Sequence, residues 1–272
     1  MRIALVGSQG QLAQSLQQVL AREELFCFSH ADLDITQESQ ASDMVQSVHP
    51  DVLINAAAIR KPDICEKNIQ KTFEVNSFGP RNLALACAKN NCSLLQVSTD
   101  NVFDGTKTKP YLEQDRTNPI TTYGISKLAG EYFVSNFSEK HYIVRTSALF
   151  GNGLNFILMM LNKYKNKEPI RVVTDQRVSP TYTVDLAHQI SKLIKTEAYG
   201  TYHMSNAGGC SWYEFAKAIF EIKNMPVDLI PVKTEDLKLA APRLKNAELG
   251  HEKLEDFPTW RDALERYLCT VH

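Results

Sequence analysis

Tyr123 and Lys127 stand four residues apart in Thr122-Tyr123-Gly124-Ile125-Ser126-Lys127. On a helix that spacing puts both side chains on one face. An ammonium beside a phenol favours the phenolate and brings the tyrosine pKa toward the range of an acid–base catalyst. Just upstream, Ser98-Thr99-Asp100 closes an apolar run, so Thr99 offers a hydroxyl at a strand end. Thr99, Tyr123 and Lys127 together can polarise and protonate a ketone while a bound nicotinamide delivers hydride. The three residues predict an oxidoreductase. The same spacing recurs in Tyr213 and Lys217. There, Ser211 and Glu214 read as a capping box that opens an ordinary amphipathic helix.

Catalytic groups of this kind need a rigid frame, and the first half of the chain supplies one. Short apolar strands are expected at Ile3–Val6, Leu25–Phe28, Val52–Ile54, Ser93–Val97 and Tyr142–Arg145. Between them, apolar residues recur at helical spacing, as in Leu12, Leu16, Val19 and Leu20. A helix is expected after Asn76, with Pro80 in its first turn. Near-continuous apolar strands alternating with amphipathic helices predict an α/β fold: a Rossmann-type, doubly wound parallel sheet. After Gly151-Asn152-Gly153 the pattern changes, and the proline-dotted stretch from Pro226 to Pro242 reads as irregular. Residues 1–150 are therefore expected to form the nucleotide-binding domain. Residues 151–272 should form mainly a smaller substrate-binding lobe, with elements from about 176–205 returning to the main sheet. A cleft between the two is the natural place for a substrate.

The turn Gly7-Ser8-Gln9-Gly10-Gln11-Leu12-Ala13 joins the first strand to the first helix. Gly7 allows a tight turn, and Gly10 lets the backbone approach a pyrophosphate. The helix N-terminus offers free N–H groups to it. The second strand ends near Ser29-His30, where NAD-specific sites carry an acid for the ribose 2′-hydroxyl. No acid stands at Ser29 or His30, so NADPH is the expected cofactor, with NADH tolerated. His30 or Arg60 is expected near the 2′-phosphate. Asp34 and Ile35 are expected beside the adenine; the simpler alternative is that Asp34 caps the following turn.

Composition agrees with a soluble enzyme of small molecules. The chain has 272 residues and a formal net charge of −1, which gives no electrostatic footprint for nucleic acid or an anionic membrane. Met1-Arg2 leads straight into a strand, so no secretory segment is expected. The longest apolar run, 156–161, is too short to span a bilayer. Six cysteines form no Cys-x-x-Cys pair and seven histidines no His-x-x-x-His pair, so no metal site is expected. Buried thiols suit a reducing cytoplasm.

The motifs taken in order resemble the extended short-chain dehydrogenases, and among them the dTDP-4-dehydrorhamnose reductase family. They are Gly7-x-x-Gly10, Asn55-Ala56-Ala57-Ala58, Val75-Asn76, 98–105 (Ser-Thr-Asp-Asn-Val-Phe-Asp-Gly), Tyr123-x-x-x-Lys127 with 128–131, and Arg145-Thr146-Ser147. Asp175-Gln176, Pro180-Thr181, Gly200-x-Tyr202-His203 and Asn246-x-x-Leu249 extend the likeness over nearly the whole chain. The resemblance implies that Thr99, Tyr123 and Lys127 are the catalytic trio. Tyr123 would protonate the C4 carbonyl oxygen of a nucleotide-linked 4-keto-6-deoxysugar, and Lys127 would hold the nicotinamide ribose. It also implies that Gln9, Gln11, Leu12, Ala56, Ala57, Ala58, Asn76 and Ser98 border the cofactor. Thr99, Asn101, Phe103, Ala148, Asn155 and Arg177 would face the sugar nucleotide. A homodimer is the assembly expected of the chain. Two positions depart from the family pattern: Asn101 replaces a usual tyrosine, and Ala148 a frequent tryptophan. Ala58-Ile59-Arg60-Lys61-Pro62-Asp63 is similar to the regulatory β subunit of methionine adenosyltransferase, an NADP-binding partner protein. A reductase of another sugar nucleotide is the remaining alternative.

Overall fold

The computed structural model describes residues 1–254 and 257–271. Its centre is a six-stranded, all-parallel sheet in the order β2-β1-β3-β4-β5-β10. The strands are β1 (Arg2–Val6), β2 (Glu24–Phe28), β3 (Val52–Asn55), β4 (Ser93–Thr99), β5 (His141–Thr146) and β10 (Gly200–His203). Strands β1, β3 and β5 are almost wholly buried, as strands covered on both faces must be. Helices α1 (Gln11–Val19) and α8 (Thr183–Leu193) cover one face, sharing a core with Ile3, Leu5 and Ile54. Helices α2 (Glu38–Val48) and α5 (Gly79–Lys89) share the other core, with Ala4, Leu53 and Leu94. Fully buried Leu and Ile side chains of this kind contribute about 1.5–3 kcal/mol each.

The link between β3 and β4 differs from the expected single helix. It runs through α3 (Pro62–Lys67), α4 (Ile69–Phe73) and a π turn at Glu74–Phe78 before α5. Asn76 lies inside that π turn, and its amide is fully used. Its Oδ1 accepts the Ile59 N–H at 2.9 Å, and its Nδ2 donates to Ile59 O at 2.9 Å and Ser126 Oγ at 3.1 Å. Asn76 thus pins the loop after β3 to α6 (Thr122–Phe137).

The chain then crosses to a smaller lobe. The pairs β6 (Leu149–Phe150) with β9 (Thr181–Tyr182), and β8 (Arg177–Val178) with β11 (Cys210–Ser211), form its floor. Its core joins α7 (Phe156–Lys165), α9 (Trp212–Ile222) and α10 (Trp260–Leu268) around Phe150, Phe215 and Phe220. The stretch read as irregular holds a strand, β12 (Leu229–Val232), parallel to β7 (Ile170–Val173). Pro231 fits there because the pair is only two strands wide, so a missing donor can face outward. Ser211 and Glu214 make the capping box, while Lys217 is exposed and pairs with Glu221.

Candidate active site

The C-terminal ends of β1, β3, β4 and β5 open into a cleft of about 610 Å³, closed from the other side by the smaller lobe. At its floor, Gly7 turns the chain with φ +78°, and a Cβ there would meet Ala57 N at 2.7 Å. Helix α1 begins at Gly10 with no side-chain cap and no acid in its first turn. Its first N–H groups are left for an anion, which suits a cofactor diphosphate. Gln9, Gly10, Gln11, Leu12, Ala56, Ala58 and Ser98 all line this end. Two buried donors here lack partners among the described residues, Gln11 Nε2 and Thr146 Oγ1. Both line the cleft, and a bound cofactor would satisfy them.

Beside that floor stands the trio. Thr121 caps α6 through the Gly124 N–H at 2.9 Å, which fixes where the helix starts. Gly124 lets α6 touch the turn after β4, because a Cβ there would lie 2.0 Å from Asn101 O. Tyr123 and Lys127 therefore face Thr99 across one wall of the cleft. Burial raises the Tyr123 hydroxyl above the ordinary tyrosine range, against a lowering contact with the Thr99 side chain. The sequence-based expectation of a lysine-stabilised phenolate is thus reversed in the protein alone. Lys127 aims its ammonium at Val97 O, 2.6 Å away, and burial lowers its pKa to about 8. Tyr123 stands as a protonated donor. Behind Lys127, Glu131 accepts from Ser98 and pairs with Arg145 at 2.7 Å, both of the pair buried.

Asp100 adds a group that the spacing arguments missed. Its buried carboxyl accepts from Thr99 Oγ1 at 2.8 Å, Asn101 Nδ2 at 2.7 Å and Ser147 Oγ at 2.5 Å. Burial raises its pKa against those bonds.

Other expected positions fall elsewhere. Ser29 lies at the end of β2, where its N–H and Oγ donate to Asp32 at 2.8 and 2.6 Å. A carboxylate thus reaches this strand end from three residues on, although none stands at Ser29 or His30. Asp34 accepts from Thr36 N–H and Oγ1 at 3.0 and 2.8 Å, capping the local turn. Ile35 is buried against Gly79, and Ala57 backs Gly7. Asn101 and Ala148 line the cleft, but Phe103, Asn155 and Arg177 do not. Phe103 is fully buried and stacks on Tyr111 at 4.2 Å. Asn155 caps α7 and gives its amide to Gly151 O, Gly153 O and Tyr267 Oη. Arg177 pairs with Glu248 at 3.1 Å on the outside. The smaller lobe brings in Gln176, Trp212, Arg243, Leu244 and Ala247 instead. Their places depend on long-range packing, and no local spacing marks them.

Known proteins match this chain along its whole length. The family model described as RmlD substrate binding domain matches residues 1–272. A dTDP-4-dehydrorhamnose reductase of Aggregatibacter actinomycetemcomitans is 37% identical over 93% of this chain and 92% of its own. The spore coat polysaccharide biosynthesis protein SpsK of Bacillus subtilis is 36% identical over 98% of this chain and 96% of its own. A crystal structure of dTDP-4-dehydrorhamnose reductase from Bacillus anthracis, in complex with NADP, superposes with a TM-score of 0.96. It is 42% identical, and each chain covers 99% of the other. The UDP-glucose 4-epimerase of Thermotoga maritima, at 15% identity and TM-score 0.82, shares the fold. By its family model, its relatives and its shape, the chain belongs to the dTDP-4-dehydrorhamnose reductase family, the extended short-chain dehydrogenases with an RmlD substrate-binding domain.

Proposed function

We propose that this chain reduces the C4 ketone of a nucleotide-linked 4-keto-6-deoxysugar with NADPH, converting dTDP-4-dehydrorhamnose to dTDP-rhamnose for cell-surface polysaccharide synthesis. One observation carries the reading: a protonated Tyr123, with Lys127 and Thr99, stands on the wall of the cleft whose floor is an uncapped glycine turn. NADPH, when bound, supplies the hydride. Tyr123 gives its proton to the carbonyl oxygen. Lys127 sits one helical turn on and orients the ribose side of the site, its charge supported by Glu131. Thr99 fixes the carbonyl between itself and Tyr123. Gly7, Gln9, Gly10, Gln11, Leu12, Ala56, Ala58 and Ser98 hold the cofactor, and Asn101 and Ala148 border the sugar. The free thiols of all six cysteines support a cytoplasmic setting. Among the described residues, no helix is long and apolar enough to cross a membrane. A homodimer would cover the exposed rings of Phe78, Tyr132 and Phe137 on the outer surface. The test is product identification. Protein, NADPH and dTDP-4-dehydrorhamnose are expected to give dTDP-rhamnose and NADP⁺ in equal amounts; cofactor binding without any sugar product would refute the proposal.

A further inference from the structure

The cleft is more basic than the chain. Among the described residues, its lining carries three cationic side chains, Arg60, Lys127 and Arg243, against a single carboxyl, Asp100, which is buried. The whole protein has a formal net charge of −1. Lys127 belongs to the catalytic trio, but Arg60 and Arg243 have no part in the chemistry described above.

The two arginines line the same cleft from opposite lobes. Arg60 lies on the loop between β3 and α3, exposed on the cleft wall and without an ion-pair partner among the described residues. Arg243 comes from the smaller lobe and pairs with Asp63 on α3. Asp63 also accepts the Ala240 and Ala241 N–H groups at 2.9 and 3.0 Å. That carboxylate therefore pins the loop carrying Arg243 onto the helix three residues beyond Arg60. Asp63 pairs with Arg243, and Arg60 has no ion-pair partner among the described residues, so the rim keeps a net positive charge.

We propose that Arg60 and Arg243 clamp the diphosphate of a nucleoside-diphosphate substrate. The inference rests on the sugar-nucleotide reading and deepens it. In a 4-keto hexose joined through C1, the diphosphate lies across the ring from the ketone. The cations that bind it must stand about one sugar ring beyond Tyr123, on the lobe boundary. Planar guanidinium forks match phosphate oxygens in bidentate pairs. The diphosphate of the cofactor already has the uncapped α1 terminus.

The cofactor's 2′-phosphate is the other phosphate that could use Arg60, and one experiment separates the two. Binding of dTDP, thymidine and NADPH is measured by calorimetry, the first two on protein saturated with NADP⁺. The proteins are the parent, Arg60→Gln, Arg243→Gln and Arg243→Lys. In Arg60→Gln and Arg243→Gln, dTDP affinity is expected to fall roughly 10- to 100-fold, the usual worth of a charge-assisted contact. Thymidine and NADPH affinities should stay within about twofold of the parent's, and Arg243→Lys should recover part of the loss. The exposed Arg60 side chain makes no hydrogen bond or ion pair among the described residues, so Arg60→Gln decides the matter even where an Arg243 variant fails to fold. Unchanged dTDP affinity in Arg60→Gln overturns the clamp alone. Loss of NADPH rather than dTDP assigns Arg60 to the cofactor and overturns it too. Failure of the parent protein to bind dTDP overturns the sugar-nucleotide reading as well.

Discussion

Thr99 has one hydrogen to give, and here it goes to Asp100. While Asp100 is ionised, Thr99 can accept from a neighbour but cannot donate to a ketone. Once Asp100 is protonated, its own hydrogen can serve Thr99, and the Thr99 hydrogen is free to turn to the substrate. Burial raises the Asp100 pKa, so the protonated form persists to higher pH than for an ordinary aspartate. The kcat/KM of the parent enzyme should accordingly fall as pH rises through that raised value. Asp100→Asn, which cannot ionise, should lose that limb of the profile; superimposable profiles would contradict the role. Lys127 gives a prediction of opposite kind. Its folded pKa, about 8, lies below the ordinary lysine value. Between the two, the unfolded chain binds more protons, so the Lys127 contribution to stability improves as pH rises through that window. Below about pH 8 its buried charge costs stability. Lys127→Met should therefore raise the melting temperature of the cofactor-free protein at pH 7 while removing turnover. A lower melting temperature would mean that the bond to Val97 O outweighs the burial cost. That Tyr123, Lys127 and Thr99 share one cleft was legible in the sequence because helical spacing and a strand end are local signals. The direction of the Tyr123 pKa was not, because burial is a property of the folded surroundings.

In the proposed mechanism helix α6 carries both Tyr123 and Lys127, and its closeness to the turn after β4 depends on Gly124. A methyl group there would lie 2.0 Å from Asn101 O, so Gly124→Ala must push the two elements apart. Misplacing a catalytic group by about 1 Å costs on the order of 10²-fold in rate. Gly124→Ala should lose about that much in kcat, with NADPH affinity and far-ultraviolet dichroism preserved; parent-like kcat would refute the positioning argument. The sheet and its covering helices could be read from the sequence because buried parallel strands are almost purely apolar. The π turn at Glu74–Phe78 could not, since one widened turn leaves no periodicity to detect. Strand β12 was hidden by Pro231, which argues against a strand unless the edge position is known.

Across the whole molecule, the two lobes complete one another in ways that neither shows alone. Ala148, with φ +44°, lines the cleft where the family frequently has tryptophan. Trp212, at the start of α9, packs into the same apolar cluster and lines the same cleft. The smaller lobe thus supplies an aromatic ring to a wall that looked bare in the sequence. Ala148→Trp should accordingly give no gain in kcat/KM, because its space is partly taken and its backbone disfavours a large side chain. Trp212→Ala should raise KM for the sugar nucleotide several-fold, the scale of an aromatic contact worth about 1 kcal/mol. A clear gain from Ala148→Trp would show that the wall is open after all. The central claim is that Tyr123 protonates a sugar ketone in this cleft, and it is tested most directly by kcat for dTDP-4-dehydrorhamnose reduction in the parent protein, Tyr123→Phe and Tyr213→Phe, with NADPH affinity measured alongside. The parent and Tyr213→Phe should turn over alike, and Tyr123→Phe should fall roughly 10²–10⁴-fold with NADPH still bound. Equal kcat in parent and Tyr123→Phe, or no turnover in a parent protein that binds NADPH, would contradict the account.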